Sequence, residues 1–152
     1  METTVLVIAG TLTTLLAGLF FGYAVSVNPA LGKLKDAEYI RAMQTINIVI
    51  QNPVFFLSFM GPLVLLPLST YLSHGDSHFG YLLAATIVYI AGPFGITVSG
   101  NVPLNERLAK VNLGGESAEG LSAARSAFEK PWNRLHNLRT LLAVATSCLL
   151  FI

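Results

Sequence analysis

The chain has 152 residues, of which 53% are hydrophobic and only 11% are charged, and its mean hydropathy is +0.64. An ordinary soluble domain carries roughly 25% charged residues, so this composition indicates an integral membrane protein. The formal net charge of +1 provides no basic surface of the kind that nucleic acid requires, which excludes that class of partner.

Four segments are predicted to cross the bilayer, since a spanning helix needs about 20 predominantly apolar residues. Residues 3–32, 42–75 and 77–105 contain no Asp, Glu, Lys or Arg, and the C-terminal segment supplies the fourth span. The N-terminus lacks the positively charged start of a secretory signal, so we expect a retained first helix. The sequence therefore predicts an all-α, integral membrane four-helix bundle that forms one domain over residues 1–152.

The first half of the chain is predicted to hold two spans separated by an interfacial helix. The first helix covers about residues 4–27 and is expected to stop at Asn28 and Pro29, because proline disfavours helical geometry in the residue before it. Gly18 and Gly22 have the spacing that permits close approach of a neighbouring helix. Residues 36–51 are typical of an amphipathic, interfacial helix that leads into a second span ending near residue 71.

The second half holds the third and fourth predicted helices. The third covers about residues 79–100, is expected to kink at Gly92-Pro93, and continues into residues 101–108. Residues 112–120, with two consecutive glycines, form a linker, and residues 122–130 are predicted to be helical. Pro131 suits either the first turn of the fourth helix or a kink within a longer one.

Charge asymmetry predicts the orientation of the bundle. The connections after the first and third spans carry basic residues, whereas the turn at residues 73–78 carries no Lys or Arg. By the positive-inside rule, both longer connections face the cytoplasm and both termini face outward. We expect the cytoplasmic membrane of a bacterium as the location.

The most informative segment is the polar cluster WNRLHNLRT at residues 132–140, which leads directly into a charge-free tail at residues 141–152. That tail covers only roughly 20 Å, so a spanning fourth helix must draw about eight residues from the cluster. His136 and Arg139 would then lie within one leaflet, where ionisable groups are costly and are functional candidates. Trp132, His136 and Arg139 fall on one helical face within an arc of roughly 60°.

Amides from the other helices are predicted to reach the same depth. Asn101 and Asn105 are one turn apart at the cytoplasmic end of the third helix, and Asn28, Gln44 and Asn47 arrive from the first two. Together with the face of the fourth helix, these residues predict a polar pocket at the cytoplasmic end of an apolar bundle.

Structural roles are the alternative for the same residues. Arg134 and Arg139 could snorkel to lipid phosphates, and Trp132 could anchor at the interface. Glu106 and Glu129 could pair with His136 and Arg139 in a purely structural ion network.

The single cysteine, Cys148, excludes an intrachain disulfide, and we interpret it as a small buried hydrophobe. His74 and His78 have metal-ligand spacing but lie in a short turn away from the other polar residues, so no metal site is predicted.

The motif NVPLNERL at residues 101–108, followed by WNRLHNLRT at residues 132–140, resembles the anthrone-oxygenase-like family of small four-helix membrane proteins. The resemblance covers nearly the whole chain in length and span order. It implies oxidation of an anthrone-like or other phenolic aromatic substrate by molecular oxygen, without a cofactor. For that chemistry His136 would be the proton acceptor, and Arg139, with Asn101, Asn105 and Asn137 as donors, would stabilise the anion. Trp132 would stack on a flat substrate that enters from the lipid.

Two other functions stay open at this point. The chain could be a non-enzymatic membrane module that binds a lipid or small amphiphile, or a subunit of a larger assembly, and a homo-oligomer is also compatible with the sequence. The environment of His136 would distinguish an enzyme from a binding module, because a catalytic base needs an open cavity beside it, whereas a structural histidine is enclosed by protein. A transporter has less support, since four spans with one polar end show no inverted repeat.

Overall fold

The computed structural model describes residues 2–152, and in that part of the chain the regular secondary structure is entirely helical. Helix α1 begins at Glu2 and ends at Leu31, α2 is Asp36–Val49, α3 is Pro53–Leu72, α4 is Phe79–Ala109 and α5 is Ala118–Leu149. The predicted all-α class is confirmed. Helix α2 matches the predicted interfacial helix, and α5 carries Pro131 in its interior rather than in its first turn.

The four long helices form a closed square. Helix α1 packs against α3 and α5, and α4 packs against the same two helices from the other side. Two clusters of buried side chains fill the bundle. One lies between the spans around Leu16, Phe59, Leu66 and Tyr89, and the other joins α2 to α5 around Met43, Phe128 and Trp132.

Three of these helices are long and apolar enough to cross a membrane: Thr3–Leu31, Pro53–Leu72 and Phe79–Ala109. Their outward surfaces carry large apolar side chains such as Leu15, Phe21 and Val64, which suits a hydrocarbon solvent. The charged residues of α5 lower its hydropathy, but its second half packs between α1 and α4 as a bundle member. The chain is therefore a helical membrane protein.

Helix α1 does not stop at Asn28-Pro29, so the predicted end of this helix is wrong. A π-helical stretch, Tyr23–Val27, precedes the proline, and α-helix resumes over Asn28–Leu31. Proline cannot donate the normal backbone hydrogen bond, and the wider π turn absorbs that defect without ending the helix.

Helix α4 contains two such combinations of a π-helical segment and a proline. Pro93 lies inside the π-helical segment Ile90–Phe94, and Pro103 follows the π-helical segment Thr97–Asn101. Such π segments re-aim the side chains next to them and are frequent at functional sites. In this fold they present Tyr23, Thr97 and Asn101 toward the same region of α5.

Arg125 fixes the start of α2 against α5. Its guanidinium bonds Asp36 at 3.0 Å, Glu129 at 2.7 Å and two backbone carbonyls of the α1–α2 connection, and it lies 4.5 Å above the ring of Tyr39. Burial raises the pKa of Tyr39, so its hydroxyl stays neutral. Helix α2 is therefore held across one end of the bundle, where it covers a cavity.

Candidate functional site

The candidate site is built on the face of α5 that the sequence singled out. Trp132, His136 and Arg139 are 4%, 1% and 7% exposed, so all three side chains are buried inside the bundle. Their spacing of four and three residues stacks them along one side of the helix. These three side chains therefore do not reach out to lipid phosphates.

Arg139 is a buried cation whose hydrogen-bond partners are all neutral. Its Nη1 donates to Oγ1 of Thr97 at 2.8 Å, and its Nε and Nη2 approach Nδ1 of His136 at 3.2 and 3.0 Å. The guanidinium also lies 4.3 Å from the ring centre of Phe20. Burying an arginine in this way is costly unless an anion completes its environment.

The carboxylates considered from the sequence as partners do not neutralise Arg139. Glu129 pairs with Arg125, one turn away on α5, and Glu106 is exposed on α4. Among the described residues, neither of the two ion pairs within 4.0 Å includes Arg139. Arg139 therefore has no carboxylate of the described residues within 4.0 Å, although Glu106 lines the same cavity at a greater distance.

His136 is held by both of its ring nitrogens. Nε2 lies 3.1 Å from the backbone carbonyl oxygen of Phe20, and Nδ1 faces the donors of Arg139. A carbonyl can only accept and a guanidinium can only donate, so this geometry assigns the neutral Nε2–H tautomer with the lone pair on Nδ1. The basic lone pair of His136 therefore points at Arg139.

Trp132 is locked by the asparagines of α4. Its Nε1 donates to Oδ1 of Asn105 at 2.8 Å, and its backbone carbonyl accepts from Nδ2 of Asn101 at 3.3 Å. The indole stacks on His136 with ring centres 4.9 Å apart and planes 8° from parallel. Tyr23 packs against both rings, so an aromatic wall is fixed beside the cation.

These groups border a cavity of about 620 Å³ to which all five helices contribute. Its polar end holds Thr97, Asn105, His136 and Arg139, and the remainder is lined mainly by aromatic and aliphatic side chains. Both the volume and the mixture of an apolar lining with a few convergent polar groups are typical of small-molecule sites.

Helices α3 and α4 leave a gap beside the cavity. These two helices pack along the half of the bundle near the turn at residues 73–78, and they have no comparable packing beside the site. Partly exposed apolar side chains from both helices border this gap: Phe56, Met60, Val98 and Val102, each 39–49% exposed.

The structure brings together most of the residues predicted from the sequence. Asn105, Trp132, His136 and Arg139 line the same cavity, whereas Asn101 lies behind the lining and contacts the backbone of Trp132. Asn137 does not belong to this cavity, because it faces a separate groove between α1 and α5. The structure therefore does not place the predicted donor Asn137 beside Arg139.

Sequence reasoning missed three contacts of the site: Phe20, Tyr23 and Thr97. Thr97 precedes Asn101 by one helical turn, and this spacing could have placed it on the same face of α4. Phe20 contributes a backbone carbonyl, which leaves no sequence signal. For metals, the described residues hold no group of three or more His, Cys, Asp or Glu side chains that could bind an ion.

Comparison with known proteins gives one match. A family model described as anthrone oxygenase matches residues 55–149, which is more than half of the chain, while neither curated proteins nor solved structures yield a match. The matched region begins in α3 and includes all of α4, so it contains Thr97, Asn105, Trp132, His136 and Arg139 but not α1 or α2. On this match and the helical membrane architecture, the chain belongs to the anthrone oxygenase family.

Proposed function

We propose that this protein is a membrane-bound oxygenase that oxidises an anthrone-like or other phenolic aromatic compound with molecular oxygen, without a cofactor. The observation that carries the proposal is Arg139, a buried cation with neutral partners only, at the polar end of an aromatic-lined cavity. A cation in this position favours a substrate that becomes an anion inside an apolar site. We choose oxidation as the type of reaction because the chain belongs to the anthrone oxygenase family.

Binding would begin with lateral diffusion of the substrate through the gap between α3 and α4. The flat ring system packs among Phe55, Phe59 and the indole of Trp132, and the hydroxyl group of its enol tautomer, whose deprotonation gives the carbanion, approaches Arg139. Asn105 holds the indole in place while this happens. Residues of α2 that line the cavity, such as Gln44 and Asn47, cover the side nearest the cytoplasm and limit access of water.

Proton removal would use Nδ1 of His136. As the N–H donors of Arg139 turn from Nδ1 to the substrate oxygen, that lone pair is released beside the hydroxyl proton. His136 accepts the proton, Phe20 stabilises the resulting imidazolium through its carbonyl oxygen, and Arg139 holds the substrate anion. The pair therefore couples anion binding to base release.

The oxidation itself would take place on the substrate. The carbanion form transfers two electrons to oxygen as a new carbon–oxygen bond forms, and the peroxide takes back the proton from His136. Loss of water from this hydroperoxide, with cleavage of its oxygen–oxygen bond and the remaining carbon–hydrogen bond, yields the quinone. One substrate and one O₂ thus give one quinone and one water, and the electrons balance without an external reductant.

The test is oxygen uptake by purified protein in lipid nanodiscs with an anthrone, corrected for spontaneous uptake without protein. His136→Ala is expected to lower turnover by roughly 10²–10⁴-fold, and Arg139→Lys to impair it because lysine lacks the planar fork of donors. His78→Ala and Arg107→Lys, exposed residues outside the cavity, are the matched controls. With ¹⁸O₂, the quinone should gain one labelled oxygen atom.

A second candidate function, a binding module for a small acidic amphiphile, is favoured by one observation. His136 is 1% exposed and both of its nitrogens are bonded within the protein, as expected for a histidine that only positions Arg139. No uptake above background by the wild type with several anthrones, or equal uptake by His136→Ala, would favour this binding function over the oxygenase.

We also propose that both termini face outward from the cytoplasmic membrane of a bacterium. Basic residues in the α1–α2 connection, in α2 and in the α4–α5 connection support this orientation, and the α3–α4 turn contains neither Lys nor Arg. The site and α2 would then lie at the cytoplasmic side.

A further inference from the structure

A second polar groove lies between the end of α1 and the first half of α5, and the oxygenase mechanism does not use it. It has a volume of about 310 Å³ and is lined by Ala24, Asn28, Pro29, Gly32, Glu129, Asn133 and Asn137. The groove residues of α5 lie on a different face of the helix from Trp132 and His136, and the two faces are related by a rotation of about 100° around the helix axis. The two cavities therefore share one helix but open in different directions.

The groove is rich in hydrogen-bond acceptors. Glu129, Asn133 and Asn137 follow one another at intervals of four residues, so α5 directs a carboxylate and two amides into the groove, and Asn28 adds a third amide from α1. Oδ1 of Asn133 is buried and has no hydrogen-bond partner among the described residues. A buried acceptor without a donor is costly, which indicates a ligand with N–H or O–H groups.

Exposed cations neighbour the lining residues of this groove in sequence. Lys33 directly follows Gly32, and Lys130 and Arg134 directly follow Glu129 and Asn133. Within residues 2–152 none of these three cations belongs to an ion pair. A groove that accepts hydrogen bonds, next to exposed basic residues, is complementary to a zwitterion whose ammonium enters the groove and whose phosphate stays outside it.

The depth of the groove fits a lipid headgroup. It lies where the membrane-spanning helix Thr3–Leu31 ends, beside the basic connection that follows. Headgroups occupy this level, and basic residues there contact lipid phosphates. We propose that the groove binds the headgroup of an aminophospholipid, with its primary ammonium on Oδ1 of Asn133, beside the carboxylate of Glu129 that Arg125 already pairs with, and its phosphate near exposed basic residues such as Lys33.

The decisive experiment compares phosphatidylethanolamine with phosphatidylcholine of the same acyl chains. Both carry the phosphate and a positive nitrogen, but only the primary ammonium has N–H donors. Affinity for the full-length protein, purified in detergent and freed of lipid, is measured by native mass spectrometry. We expect phosphatidylethanolamine to bind about tenfold more tightly, the difference that one hydrogen bond to a charged group provides.

Variants of Asn133 test whether the preference for phosphatidylethanolamine arises in the groove. Asn133→Leu, which removes the unpartnered acceptor, should lower the affinity for phosphatidylethanolamine to that for phosphatidylcholine, and Asn133→Ala serves as a second variant if the first does not fold. Ser126→Leu, an exposed substitution on the same helix outside the groove, should keep the tenfold difference.

Three outcomes would overturn the proposal. They are equal affinity of the wild type for the two lipids, an undiminished preference in the Asn133 variants, and binding of free glycerophosphoethanolamine as tight as that of the lipid, which would identify a soluble amine as the ligand. None of these results depends on oxygen uptake, so the proposed lipid site is tested independently of the proposed oxygenase activity.

Discussion

Two N–H groups of Arg139 converge on the same atom of His136, with Nε and Nη2 lying 3.2 and 3.0 Å from Nδ1. The imidazole and the guanidinium are therefore engaged with each other, three residues apart on one helix. A guanidinium has five N–H groups, and the contacts with His136 and Thr97 use three of them, so two can still donate to a ligand. The proposed mechanism requires in addition that a bound anion draw Nε and Nη2 away from Nδ1 of His136.

The first prediction concerns the protonation of this pair. His136 should be the neutral Nε2–H tautomer, because Phe20 offers only a carbonyl oxygen and Arg139 offers only donors. Nitrogen-15 chemical shifts of the ring, measured on labelled protein, report which nitrogen carries the proton. His74 and His78, both exposed in the α3–α4 turn, provide reference signals from histidines outside the site. A proton on Nδ1 of His136 would contradict the assigned geometry.

The second prediction uses Trp132, the only tryptophan of the chain, as a reporter of the cavity. A planar aromatic ligand that enters beside the indole should quench its fluorescence with saturation. Asn105→Leu removes the acceptor for Nε1 and should weaken the quenching by several fold, because the ring loses its fixed position. Asn112→Leu, in the α4–α5 connection and outside the cavity, is the control. Quenching that rises linearly without saturation in the wild type would indicate collisions rather than a site.

Much of this architecture could be predicted from the sequence because the membrane imposes simple rules. Long charge-free runs indicate spanning helices, and the spacing of Trp132, His136 and Arg139 places them on one face whatever the tertiary packing. The same rule already separates Asn137 from that face, since five residues after Trp132 correspond to a rotation of about 140°. Residue type alone favours Asn137 as a donor at the anion site, but this rotation turns its side chain away from Arg139.

What could not be predicted depends on irregular backbone and on packing. A proline normally indicates the end of a helix, and only the structure reveals that the π turn before Pro29 keeps α1 continuous. The backbone carbonyl that orients His136 belongs to Phe20, an ordinary apolar residue in sequence. The sequence allows Glu129 to pair with Arg139, but Arg125 lies one turn away on α5 and forms the ion pair with Glu129 instead.

The third prediction tests the proposed orientation. In a Cys148→Ala background, Ser77→Cys in the α3–α4 turn should react with a membrane-impermeant maleimide added to intact cells, because that turn would face outward. Ser122→Cys, near the start of α5, should react only after the membrane is permeabilised. Both serines are exposed, so accessibility within the protein does not bias the comparison. Labelling of Ser122→Cys in intact cells, with Ser77→Cys protected, would reverse the orientation.

The last prediction concerns the contact between α4 and α5 that closes the bundle next to the site. A methyl group at Gly92 would lie 2.7 Å from Cβ and 2.8 Å from Cδ1 of Leu142. The Cβ atom cannot move without its helix, so relief requires the two helices to separate. Gly92→Ala should therefore lower the free energy of unfolding by about 1–3 kcal/mol, the usual cost of overpacking.

Gly18 is the matched control, because a methyl group there meets no atom within 4 Å and the residue is exposed on α1. Gly18→Ala should leave stability unchanged or raise it by up to about 1 kcal/mol through helix propensity. Reversible unfolding in mixed micelles, followed by circular dichroism, measures both variants. Equal stability of the two alanine variants would mean that α4 and α5 are not in close contact at Gly92, and that the wall carrying Arg139 is held in another way.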